Sequence, residues 1–116
     1  MRGQLDEGEA VYRAAMQRFP DSPVVWIALG QTLRLAHRHD EALTTFRQAQ
    51  QRFPRYPIIA TGLTAVLIEL GDDQAASDSL AWTEQVCDDD NDNDQRVLAD
   101  LRQRYKALLV GRPWPL

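Results

Sequence analysis

The chain has 116 residues and a formal net charge of -4, so it is one domain at most, with roughly 65% of its unfolded surface buried on folding and room for one core. With 26% charged residues and no clustered basic face, it lacks the footprint of a nucleic-acid binder, and nucleic acid is not expected as a partner. No stretch reads as a signal peptide or approaches the roughly 20 apolar residues that span a membrane, so a membrane is not expected either.

From the N-terminus, a first helix is predicted over 5–19. Ser22 is a good N-cap and Pro23 suits the first helical turn, where a missing N–H costs nothing. The helix that begins there carries Trp26, Leu29, Leu33 and Ala36 at steps of three and four and ends near His37. The next starts at Asp40 and Glu41, whose charges favour a helix N-terminus, and places Ala42, Phe46, Ala49 and Phe53 on one face before Pro54 stops it. Pro57 opens a helix to Leu70, Gly71 supplies a left-handed end, and Asp72 and Asp73 open another to about Val86. A last helix is predicted over 93–110, with Val97, Leu101, Tyr105 and Leu108 in one stripe, as an end cap whose outer face stays polar. Gly111 ends it, and the remaining Arg-Pro-Trp-Pro-Leu cannot be helical: it either folds back through Trp114 or begins a linker.

The tripeptide Arg-Phe-Pro at 18–20 returns at 52–54, each time followed by a second Pro three residues on, at Pro23 and Pro57. A period of 34 residues is the mark of a stacked repeat array. It persists away from the tripeptide, pairing Tyr12 with Phe46 and Leu80, Ala42 with Ala76, Leu29 with Leu63, and Leu33 with Leu67.

Trp26, Leu29, Gly30, Ala42, Phe46, Ala49 and Pro54 stand in the order and spacing of the tetratricopeptide repeat, which this chain therefore resembles; only the usual Tyr is replaced, by Leu33. The likeness is strongest over 23–56. It is weaker over 57–90, where Gly71, Ala76 and Leu80 are kept but Ala60 stands in the Trp position, and partial over 1–22, where only the second helix of a repeat is present. Residues 91–116 hold the capping helix and tail. The resemblance implies an all-α fold, a right-handed superhelical stack of antiparallel helix pairs. Gly30 and Ala42 are expected where the helices of a pair cross closely, and Trp26 and Phe46 where space between helices must be filled.

Signals for chemistry are weak. The run DDDNDND at 88–94 begins like a calcium loop, but no register puts Gly at its sixth position, and the twelfth falls on Ala99, Asp100, Leu101 or Gln103. It reads as a solvated connector whose acids cap the last helix. His37 and His39 are two apart in a turn with no third ligand nearby, which does not make a metal site. Cys87 is the only cysteine, which excludes an internal disulfide, and it reads as a helix-end residue without chemistry. Nucleophile elbow, phosphate-cradling loop and HExxH pair are all missing. Neither catalysis nor a metal or cofactor is expected.

The resemblance implies a concave groove lined by the first helix of each pair, where family members commonly hold an extended or helical segment of a partner protein. Carried over by position, the groove residues are Val24, Ile27, Gln31 and Arg34, then Ile58, Thr61, Ala65 and Ile68. Lys106 is the only lysine, so the carboxylate clamp of Lys, Asn and Arg that some members use is not expected. Gly62 within a helix hints at a packing need, with close approach by another backbone or helix, and an apolar partner helix or self-association fits this best. Leu5, Tyr12 and Met16 are expected to form an apolar face without its covering helix, open to a second copy of the chain as a homodimer or to repeats upstream in a longer protein. The expected function is a non-catalytic protein-protein interaction module; the alternative is a structural or accessory segment of a larger enzyme or secretion assembly. Its compartment is expected to be the cytoplasm, or the periplasm if it is cut from a longer precursor. Twelve arginines against one lysine suggest a GC-rich, hence bacterial, genome.

Overall fold

Six α-helices follow one another in a computed structural model that describes residues 2–111, with side chains from residue 6 onward. They are α1 Arg2–Arg18, α2 Pro23–Leu35, α3 His39–Arg52, α4 Pro57–Leu70, α5 Asp73–Val86 and α6 Asp92–Val110. The described residues contain no strand, and none of these helices is long and apolar enough to cross a membrane. Trp114 and its tail lie outside the described residues, as does the side chain of Leu5.

Local chemistry accounts for the boundaries. Pro23 and Pro57 each occupy the first turn, and the residues before them, Ser22 and Tyr56, share φ -92 and ψ 110. Steric pressure from the proline ring holds the preceding residue extended and so fixes the start. Ser22 is the N-cap, as expected, but its side chain makes no capping hydrogen bond, because the proline constraint already sets the entry. The later helices use side chains instead: Asp72 accepts from the Ala75 N–H at 3.1 Å and Asn91 from the Asp94 N–H at 3.0 Å.

Helices α2 and α4 also end alike. Gly71 has φ 78 and His37, 34 residues earlier, has φ 60. In both turns the following N–H reaches back into the helix, Arg38 to the Leu33 carbonyl at 2.9 Å and Asp72 to the Leu67 carbonyl at 3.2 Å, the bonding of a Schellman end. Gly71 does this without strain, whereas a residue with a Cβ pays about 1–2 kcal/mol in the left-handed region.

The helices stack in order. α2 packs on α3 and α4 on α5, with α1 against α2 and α3 against α4, and α6 lies across both α4 and α5. This is an all-α solenoid of helix pairs. At its centre Phe46, fully buried, joins Leu29, Leu33, Leu63, Val66 and Leu67. The ring of Phe46 sits against two glycines: a Cβ on Gly30 of α2 would stand 2.6 Å from Phe46 Cζ, and one on Gly62 of α4 also 2.6 Å. Gly30 thus serves the close packing expected of it. Gly62 meets the packing need expected of it within the chain, where the body that approaches it is Phe46.

In the second unit the filling changes character. Trp26, whose Nε1 donates to the Pro20 carbonyl at 3.0 Å, is matched 34 residues on by Ala60, Gly30 by Thr64, and Ala49 by Thr83. Thr64, Ser79 and Thr83 bring three buried hydroxyls together, Thr64 Oγ1 lying 2.7 Å from Ser79 Oγ and 2.9 Å from Thr83 Oγ1, with the Ala60 and Ser79 carbonyls as acceptors. Every hydroxyl has a partner, so their burial costs little.

Two stability predictions follow from this packing. Gly62→Ala should destabilise the fold by about 1–2 kcal/mol in urea denaturation, despite a helix-propensity gain of about 1 kcal/mol, because Phe46 must move. Combining it with Phe46→Leu should cost less than the sum of the two single changes, the signature of direct contact. His37→Gly should raise stability by about 1 kcal/mol, or about 4 °C in melting temperature, by relieving the left-handed turn.

Candidate partner-binding cleft

The glycines that admit the Phe46 ring also bring α2 and α4 together, and the residues beside them face a shared cleft. Gln31 and Arg34 of α2, Thr61 and Ala65 of α4, and Val97, Asp100 and Arg104 of α6 surround about 240 Å³. Four of the eight groove residues expected from sequence therefore meet in one place.

The other four do not line it. Val24 and Ile58, at the N-terminal ends of α2 and α4, are 65% and 48% exposed. Ile27 packs against the cluster of Trp26, Ala49 and Ile59. Ile68 lies against both the central cluster and the one formed with α6. Ala65 has a double role, since it is also buried with Leu80, Cys87, Leu98 and Leu101. For Ile68 and Ala65 the reason is α6, which packs on α4, whereas Ile27 is covered from the side of Trp26.

Charge in the cleft is already organised. Arg34 Nε donates to both carboxylate oxygens of Glu69, at 3.0 and 2.9 Å, and its Nη1 donates to Gln31 Oε1 at 2.9 Å. Because the Gln31 oxygen is engaged, its amide N–H groups are the donors left to meet a ligand. His39 Nε2 lies 3.1 Å from Glu69 Oε1, so the same carboxylate also ties α3 to this corner. On the opposite wall Arg104 Nε pairs with Asp100 at 2.9 Å. Thr61 Oγ1 donates to the Ile58 carbonyl at 2.9 Å. The walls are thus polar and pre-positioned, and the floor at Gly62 and Ala65 is small and apolar.

The α6 wall was missed in the sequence. Its stripe of Val97, Leu101 and Tyr105 marked the buried face, with fully buried Leu98 beside it, but nothing in the spacing says that the flank with Asp100 and Arg104 meets α2 and α4.

The remaining candidates resolve into structure. Tyr12 and Met16, expected on an uncovered face, pack against the central cluster, and Met16 also against that of Trp26. That correction follows from helix phase: their side of α1 faces α2. The His37 and His39 rings stand 5.8 Å apart, and no group of three His, Cys, Asp or Glu side chains among the described residues could hold a metal ion. In the acidic run, Asp94 accepts from the Asp88 N–H at 2.9 Å and Asp88 from the Asp90 N–H at 2.9 Å, so these carboxylates fold their own turn. Cys87 is buried, and desolvation, followed by the charge of Asp94, pushes its thiol up from the usual range.

A family model described as Tetratricopeptide repeat matches residues 1–32, from α1 into α2. Over that segment the chain is similar to a tetratricopeptide repeat. Among solved structures it is similar to PcrH, in a crystal structure of PcrH in complex with the chaperone binding region of PopD, with TM-score 0.79 at 13% identity, over 93% of this chain and 80% of that one. No curated protein matches it by sequence. The segment where the residue pattern was only partial, residues 1–22, thus lies within the match.

α1 is held on the helix array by charge as well as packing. Arg38 reaches Glu9 at 2.6 Å and also pairs with Glu41, which Arg13 approaches at 3.5 Å. Hydrogen bonding from Arg38 holds Glu9 below its usual carboxylate range, against a smaller opposing effect of burial. A depressed folded value means the stabilisation is complete above the ordinary value of 4.5 and is lost as pH falls through the folded one. Glu9→Gln should therefore lower the melting temperature by about 3 °C at pH 7 and converge with the wild type in acid, read by circular-dichroism melts across pH.

Proposed function

We propose that this protein is a non-catalytic binding module that holds a short segment of another protein in the cleft between α2, α4 and α6. The observation that carries the reading is the convergence of Gln31, Arg34, Thr61 and Ala65 with Val97, Asp100 and Arg104 around one small space. At about 240 Å³ it is smaller than the roughly 300–1,000 Å³ typical of small-molecule sites, which suits one anchoring side chain of a longer ligand. Polar walls with a small apolar floor fit a peptide, whose backbone can accept from Gln31 while a compact side chain seats against Gly62 and Ala65. The similarity in fold to PcrH, whose structure holds the chaperone binding region of PopD, supports a peptide as the class of partner. Val24, 65% exposed, and Ile58, 48% exposed, lie one to two turns towards the N-terminal ends of the same helices and would extend contact beyond the cleft.

Panning a displayed peptide library against the protein tests this. Enriched peptides are expected to bind with micromolar dissociation constants in calorimetry. Thr61→Arg, which fills the cleft from a half-buried position, should weaken them at least about tenfold, or about 1.4 kcal/mol, with an unchanged helical spectrum. Peptides that bind the variant as well as the wild type would move the working surface elsewhere.

A further inference from the structure

We propose that the outer face of α1 is a two-fold interface through which two copies of this chain associate, α1 against α1 in antiparallel orientation. At 100° per residue, Glu7, Val11, Ala14 and Arg18 fall within one narrow stripe of the helix, on the side away from Tyr12 and Met16. All four are exposed, Val11 at 63%. α1 packs chiefly on α2, and what reaches beyond it, Tyr12 and Met16 to the core clusters, Arg13 to Glu41 and Glu9 to Arg38, lies on the inner side, so no neighbouring helix among the described residues covers this stripe. Val11 corresponds, at steps of 34, to Thr45 and Ser79, which are buried at 6% and 7% in α3 and α5. The position is therefore one that neighbouring helices of the array do cover.

Charge selects a second copy as the occupant. Glu7 and Arg18 stand the same number of residues from the midpoint of the stripe, and so do Val11 and Ala14. An antiparallel partner helix with the same sequence thus places Glu7 opposite Arg18 twice, and Val11 against Ala14 twice, as a two-fold axis demands. Within one helix the two charges are about 16 Å apart along the axis and cannot meet. Neither forms an ion pair among the described residues, and Arg18 only lies 5.5 Å from the ring centre of its neighbour Phe19. Ala10 and Ala14 keep the seam shallow enough for close approach. An interface along one helix of about 25 Å lies at the low end of the range for specific association, so a micromolar dimer is the expectation.

Sedimentation equilibrium at low salt, over about 10–200 μM, decides the matter. The wild type should show a monomer–dimer equilibrium that weakens with added salt. Glu7→Arg and Arg18→Glu should each weaken it about tenfold, since each converts two attractive pairs into repulsive ones, and the double variant, with the charges exchanged about the axis, should restore it. Val11→Asp should abolish it. All four positions are exposed, so melting temperatures should stay close to that of the wild type. A wild-type chain that remains monomeric at the top concentration overturns the proposal and leaves the face to some other helix. Single variants that weaken association without rescue in the double variant overturn the antiparallel pairing.

Discussion

The fold turns on one aromatic ring. Phe46 rises from α3 into the space between α2 and α4, and both helices meet it with a glycine, Gly30 and Gly62. Any side chain at either position would push a helix away from the ring, so the ring sets how far apart α2 and α4 stand. The cleft between α2, α4 and α6 inherits that spacing directly. Gln31 follows Gly30 and Thr61 precedes Gly62, so the two walls of the cleft are the sequence neighbours of the two contacts that fix the helices.

The second unit reaches the same helix-pair geometry by different means. Where the first uses Trp26, Gly30 and Ala49, the second uses Ala60, Thr64 and Thr83 at the same steps. The large ring and its single hydrogen bond to the Pro20 carbonyl are replaced by a smaller side chain and a satisfied cluster of hydroxyls. Hydroxyl clusters are directional where apolar contacts are not, so they fix the register of α4 against α5 with less volume. Leu80, in the place of Phe46, then faces α6 with Ala65, Leu98 and Leu101.

These two units show what could be read from the residues alone. Pro23, Pro57 and Gly71 act through the backbone of their own immediate neighbours, so the helix boundaries they set were visible without a structure. The 34-residue step was visible too, because it repeats residue types. Gly62 was visible as an oddity but not as the mate of Phe46, since the two are 16 positions apart in sequence and the contact depends on how three helices stack. Two of the groove set lie elsewhere for the same reason: Ile27 and Ile68 occupy groove positions by spacing, but the neighbours that cover them, around Trp26 and from α6, are set by tertiary packing. The buried hydroxyls left no signal, because Thr64, Ser79 and Thr83 read as ordinary helix residues until their helices are superposed in space.

The helix α1 shows how charge and packing divide one short element between two tasks. Its inner side is fixed twice, by Tyr12 and Met16 in the core clusters and by Glu9 on Arg38. Arg38 follows the left-handed residue His37 at the end of α2 and precedes α3, and it also holds Glu41. The turn between α2 and α3 therefore sets the rotation of α1 as well as its own path. With that rotation fixed, Glu7, Val11, Ala14 and Arg18 can face only outward. The cleft of α2, α4 and α6 contains no residue of α1, so a second copy seated on the outer stripe would leave both clefts open, and the pair would present two peptide sites related by the same axis. Such a pair could engage a ligand with two copies of the recognised segment more tightly than either site alone, through effective concentration and without any new contact.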